Sequence, residues 1–183
     1  MTKELYLVDT RPDFLLCDFV SSSSNVGDLR VQRCSESDFW EILSRVEEFW
    51  GSNRNRTFHH PIFLREFGDT ALVVRNDTKV LGYLFGFVSQ TEPTAYVHLV
   101  ATDPAVRGQG IARKLYDHFI AIGRQRGCTK LKAITTVSNV DSIAFHRSLG
   151  MKMVVGERGT EGVFIVRNYS GPSEDRIVFY RDI

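Results

Sequence analysis

VRGQGIARKL, residues 106–115, sets two glycines directly before a stretch with helical periodicity. Glycine is a poor helix former, so its use at a helix start has two readings. One is a tight turn. The other is bare backbone, because the first N–H groups of a helix have no intrahelical acceptor and carry partial positive charge. Without Cβ atoms at Gly108 and Gly110, an anion such as a diphosphate can approach those donors closely. Arg107 and Lys114 can add charge-assisted contacts.

The surroundings of this stretch organise the rest. AYVHLVATD (95–103) reads as a strand running into it, and residues 110–126 read as a helix burying Ala112, Leu115, Tyr116, Phe119 and Ile122. KLKAITT (130–136) is the next strand, so strand, glycine turn, helix and strand form one crossover unit. NVDSIAFHRSL (139–149) is a short helix with Gly150 as a left-handed cap. Upstream, 29–34 is a strand, and 35–50 is one helix capped by Ser35 or Ser37. Residues 51–61 are a polar loop, 62–67 a short helix, and 70–75 with 79–90 a hairpin. Two closing strands are expected near 163–168 and 176–182. The order is β-α-α-β-β-β-α-β-α-β-β.

The chain has 183 residues, 43% hydrophobic and 25% charged, which suits one ordinary domain. We assign that domain to 29–183 and read 1–28 as an extension ending in a Ser-rich connector, VSSSSNVGD. A net charge of +1 provides no global field for nucleic acid, although Arg54, Arg56, Arg107, Arg113 and Lys114 can form a local basic patch. No apolar run is long enough to span a bilayer, and the N-terminus lacks the pattern of a secretion signal. Cys17, Cys34 and Cys128 are odd in number and widely spaced, which fits neither a disulfide framework nor a metal site. Reduced thiols and a cytoplasmic location are expected.

Three phosphate-binding designs compete for the glycine turn. A P-loop needs Gly-Lys-Ser/Thr, which is absent. A dinucleotide fold needs a third glycine where Ala112 stands, and its strand would lie near the N-terminus. What fits is Arg-x-x-Gly-x-Ala, with Arg107, Gly110 and Ala112 in those places. This resembles the acetyl-CoA loop of the GNAT N-acetyltransferase superfamily, and the resemblance covers about 29–182. A second match lies in NVDSIAFHRSLGM, where Asn139, Ser142, Phe145, His146, Gly150 and Met151 meet that superfamily's Asn-x-x-Ala-x-x-Phe-Tyr-x-x-x-Gly-Phe. His146 replaces the usual tyrosine, a departure that looks like the phosphinothricin-type acetyltransferases.

The resemblance implies an α/β (α+β) fold with a mixed, mostly antiparallel central sheet, splayed between its fourth and fifth strands and flanked by helices. It implies that Leu99, Val100 and Ala101 bind the pantetheine arm through their backbone. The loop Arg107, Gly108, Gln109, Gly110, Ile111 and Ala112 would hold the diphosphate. Asn139 and Ser142 would touch the arm or the phosphates, and His146 would lie near the sulfur. The implied activity is direct transfer of acetyl from acetyl-CoA to a primary amine, with no metal.

Such transfer needs a neutral amine, whereas an alkyl ammonium titrates near 10.4, so a proton acceptor is required. His98 is the candidate base, His146 the candidate acid and Tyr180 the reserve donor. Since Val97 and Leu99 are apolar, strict alternation turns His98 to the opposite face from both. A histidine with only a structural hydrogen bond is the competing reading. For the acceptor, Glu47 can attract an amine, Arg54 can grip a carboxylate, and Trp50, Phe58 and His59 can supply a flat wall. Partners are then acetyl-CoA and a small amine, with neither nucleic acid nor membrane, and the closing strands are available for a homodimer. Two other readings stay open: acetylation of a protein N-terminus or other macromolecular amine, and a non-catalytic acyl-CoA sensor.

Overall fold

A computed structural model describes residues 29–183; the extension assigned to 1–28, with Cys17, lies outside the described residues. The strands are β1 (Val31–Arg33), β2 (Ala71–Arg75), β3 (Val80–Val88), β4 (Thr94–Thr102), β5 (Lys130–Thr135), β6 (Lys152–Met153), β7 (Glu157–Arg158), β8 (Phe164–Ile165) and β9 (Ile177–Asp182). The helices are α1 (Glu36–Ser44), α2 (Val46–Trp50), α3 (Ile62–Arg65), α4 (Ile111–Gln125) and α5 (Val140–Ser148). Seven strands form one sheet in the order β1-β2-β3-β4-β5-β9-β6, and β7 pairs with β8 apart from it. Every pairing in the large sheet is antiparallel except β4 with β5. The sheet is thus mixed and mostly antiparallel, with helices on its faces, as expected.

Two apolar clusters cover the two faces of the sheet. Val97, Leu115, Tyr116 and Phe119 belong to one, and Phe39, Phe49, Phe85 and Leu99 to the other. Helix α4 seats on the first face because β3 carries glycine beneath it. A Cβ at Gly82 would lie 2.7 Å from the Ile111 side chain, and one at Gly86 would lie 2.6 Å from the Phe119 ring. Both distances are closer than real Cβ contacts allow, so the two glycines set how closely the helix approaches.

The sheet opens at a specific residue. Phe85 pairs with Leu99 and Gly86 with Val97, which leaves His98 as the extra residue of a β-bulge. The parallel β4–β5 ladder runs from Thr94↔Lys130 to Val97↔Ala133 and ends there. Beyond the bulge the two strands diverge. The bulge also shifts the alternation: Val97 faces the α4 side, while His98 and Leu99 both face the α1–α3 side. Alternation alone had placed His98 opposite Leu99, and that expectation is corrected.

Other boundaries differ from expectation for tertiary reasons. The helix expected over 35–50 breaks at Arg45 (φ −110°, ψ 16°). Its guanidinium there bonds Glu41, Glu48 and Asp103. The polar loop contains a 3-10 turn, Asn53–Phe58. The segment near 163–168 contributes only β8, to the small sheet, and the unforeseen β6 joins the large one. β9 therefore lies inside the sheet, between β5 and β6, and is not the free edge that dimer pairing was expected to use.

Candidate active site

A cleft of about 660 Å³ runs from the glycine loop through the gap between β4 and β5. One half is made of main chain. Gly108 (φ 77°) and Gly110 (φ 83°) are left-handed, and nothing lies within 4 Å of a Cβ added to either. Glycine is thus required by the backbone angle, and the space beside it is open. Gly110 is the N-cap of α4 and no side chain caps the helix. The first N–H groups of a 15-residue helix consequently face the cleft as anion donors.

Val100 and Ala101, on the diverged edge of β4, line the cleft, as do Arg107, Gly108, Gly110, Ile111 and Ala112. From α5 come Asn139, Ser142, Phe145 and His146. Of the residues expected to hold the donor, Leu99 and Gln109 are not among those lining it. Leu99 is turned into the α1–α3 cluster by the bulge. Sequence reasoning missed Thr102, Arg113, Tyr116 and the β5 edge, Ala133 to Thr135. The splayed strand after the helix was the available signal for that edge.

Basic side chains near the loop are occupied elsewhere. Arg107 donates from Nη2 to the Phe49 carbonyl (3.0 Å) and from Nε to the Thr102 carbonyl (3.4 Å). Arg113 donates to the Ser148 carbonyl (3.0 Å), and Lys114 donates to the Leu29 carbonyl.

His98 projects at the opening. Its ring stacks on Phe63 at 4.9 Å and meets Phe58 edge-on at 6.2 Å. Burial lowers its pKa from the usual 6.5, and a hydrogen bond with the Phe58 backbone partly opposes that. At neutral pH it is an uncharged imidazole lining the cleft.

His146, the expected acid, is arranged differently. Its Nδ1 lies 2.6 Å from the Ser142 carbonyl, an acceptor only, so Nδ1 carries the proton. Nε2 then accepts from the Tyr116 hydroxyl at 2.9 Å. The ring is 2% exposed and stacks on Phe179 at 4.7 Å. Burial lowers its pKa. Nδ1 is bonded within α5 and Nε2 ties α5 to α4, so neither nitrogen is free for the substrate, which corrects the acid role. Tyr180, on β9 opposite Lys132 and Lys152, does not line the cleft and is corrected as reserve donor.

The expected acceptor residues scatter. Trp50 lines the cleft and Phe58 stands beside His98. His59 is buried, with Nδ1 bonded to the Asn55 carbonyl (2.7 Å) and Nε2 to the Tyr83 hydroxyl (2.8 Å). Tyr83 in turn accepts from Trp50 Nε1 at 2.6 Å. His59 therefore supports Trp50 from behind and cannot meet a substrate. Glu47 accepts from Asn53 on the surface, and Arg54 is exposed away from the cleft lining.

Residues 36–151 match the acetyltransferase (GNAT) family. The chain is similar to the L-2,4-diaminobutyric acid acetyltransferase of Streptomyces coelicolor, 31% identical over 63% of this chain and 69% of that protein. It is also similar to the enzyme of the same name from Virgibacillus pantothenticus, 23% identical over 64% and 75%. These names are not of the phosphinothricin type that His146 suggested. Among solved structures, the ribosomal-protein-S18-alanine N-acetyltransferase of Escherichia coli superposes with a TM-score of 0.63 at 21% identity. That match covers 85% of this chain and 94% of the other.

Proposed function

The chain belongs to the acetyltransferase (GNAT) family, and on that premise we propose that this acetyl-CoA-dependent N-acetyltransferase passes acetyl directly to a primary amine of a small, amino-acid-like molecule. The observation that carries this reading is the continuity of the cleft from the glycine loop to His98. The chain's residues fit the donor. Left-handed glycines and an uncapped helix suit a diphosphate, and the diverged edge of β4 suits the amides of the pantetheine arm. Acetyl-CoA supplies an activated acetyl thioester.

The protein's own part is positioning and proton transfer. An attacking amine must lose its proton, and His98, uncharged because it is half-buried, can accept one directly or through a water. Phe58 and Phe63 pack against the His98 ring and Trp50 lines the cleft nearby, which gives that end of the cleft an aromatic wall. With His146 internally bonded, the thiolate product leaves without it, which is feasible for a group titrating near 8.5.

Diaminobutyrate-acetylating relatives support a small, zwitterionic acceptor. A thiol-release assay with acetyl-CoA tests it across diaminobutyrate, lysine, arylalkylamines, aminoglycosides and peptides with free N-termini. Turnover is expected on small amines. Turnover on peptides alone would move the acceptor to protein N-termini, and none on any amine would overturn the reading.

A further inference from the structure

Helix α2 has five residues, too few to hold its own position, so its end contacts decide where Phe49 and Trp50 stand in the cleft. At its N-cap, Arg45 Nη2 meets Asp103 Oδ2 at 2.8 Å. Asp103 is 1% exposed, also binds Lys79 Nζ at 2.6 Å, and accepts the Ala105 N–H at 2.9 Å. At its other end the Phe49 carbonyl accepts from Arg107 Nη2. Both ends of α2 are thus tied to residues 103 and 107, the two ends of the short turn that enters the glycine loop.

The two ties differ. The Arg45–Asp103 tie is buried and multiply bonded, whereas the Arg107 tie is a single exposed guanidinium divided between two carbonyls. The anion donors of the loop, in contrast, are main-chain groups that need no arginine. We infer that Arg107 is a positioning residue for the acceptor wall, holding the C-terminal end of α2, and is not a ligand of the donor's phosphates. The inference rests on the acetyl-transfer reading for which end of the cleft takes the acceptor.

The test uses the full chain in a Trp40→Phe background, so that Trp50 is the one tryptophan left of two. Three quantities are measured for Arg107→Ala and Arg107→Lys: acetyl-CoA Kd by calorimetry, acceptor KM, and acrylamide quenching of Trp50. For Arg107→Ala we expect a Kd within about twofold, an acceptor KM raised about tenfold for one lost charge-assisted bond, and stronger quenching. Lysine keeps the charge but not the fork, so Arg107→Lys should keep the acceptor defect. It also serves as the folded variant if alanine lowers the melting temperature below assay range.

A tenfold or greater rise in Kd with alanine, restored by lysine, overturns the inference. So does unchanged quenching with unchanged acceptor KM. If the parent protein acetylates no amine, the transfer reading fails, while Kd and quenching still decide the role of Arg107.

Discussion

Around the glycine loop the cleft offers main chain, whereas the half bounded by α2 and His98 offers side chains. In the donor half the groups that face outward are N–H donors of α4, and the nearby side chains of Arg113 and His146 are bonded to other parts of the protein. In the acceptor half, Trp50 reaches the cleft through a chain of bonds from Asn55 through His59 and Tyr83. A diphosphate is common to every acetyl-CoA, so main chain suffices to hold it. An acceptor differs between enzymes, and side chains are what can vary.

If that division is real, the largest effect should come from filling the loop. Gly110→Glu places a Cβ and a negative charge at φ 83°, and calorimetry should find acetyl-CoA binding abolished. Unchanged affinity would break the main-chain account.

Next comes His98→Ala, expected to cut turnover about 10²–10⁴-fold. Its pH–rate profile sharpens the comparison. Because burial lowers the His98 pKa, the parent's acidic limb should fall below 6.5, and it should vanish in the variant.

Tyr83→Phe removes a hydroxyl that serves Trp50 and His59 at once. We expect a stability loss of about 1–3 kcal/mol by urea unfolding and a raised acceptor KM, with donor affinity unchanged. A change in donor affinity instead would blur the two halves.

The smallest effect concerns the buried histidines. His59 and His146 both have folded-state pKa values lowered by burial, so the unfolded chain binds more protons in between. Their contribution is fully present above the unfolded value near 6.5 and is lost as pH falls through the lower folded values. The urea midpoint should fall over that window, and less steeply in His146→Gln.

Some of this was legible because it is local. Gly108 and Gly110 before an apolar-periodic run announce a positive-φ turn and an uncapped helix, and both follow from neighbours in the chain. The buried face of α4 was readable in the same way, since Leu115, Tyr116 and Phe119 recur at helical spacing. What resisted reading depends on distant partners. The break at Arg45 is tied to Asp103, 58 positions away, and what His146 Nε2 bonds to is set by Tyr116, 30 positions away. The burial of His59 away from any substrate likewise depends on Tyr83, 24 positions away.

The sequence by itself determined the order of elements from β2 to α5 and the anion-binding junction of loop and helix, because backbone angles and hydrophobic spacing are short-range properties. Only the tertiary structure decided where β4 bulges, and hence that His98 turns towards Phe63 and the cleft rather than away from Leu99. A bulge is a mismatch between two strands, and its position is defined by the register of β3 against β4, which neither strand encodes alone.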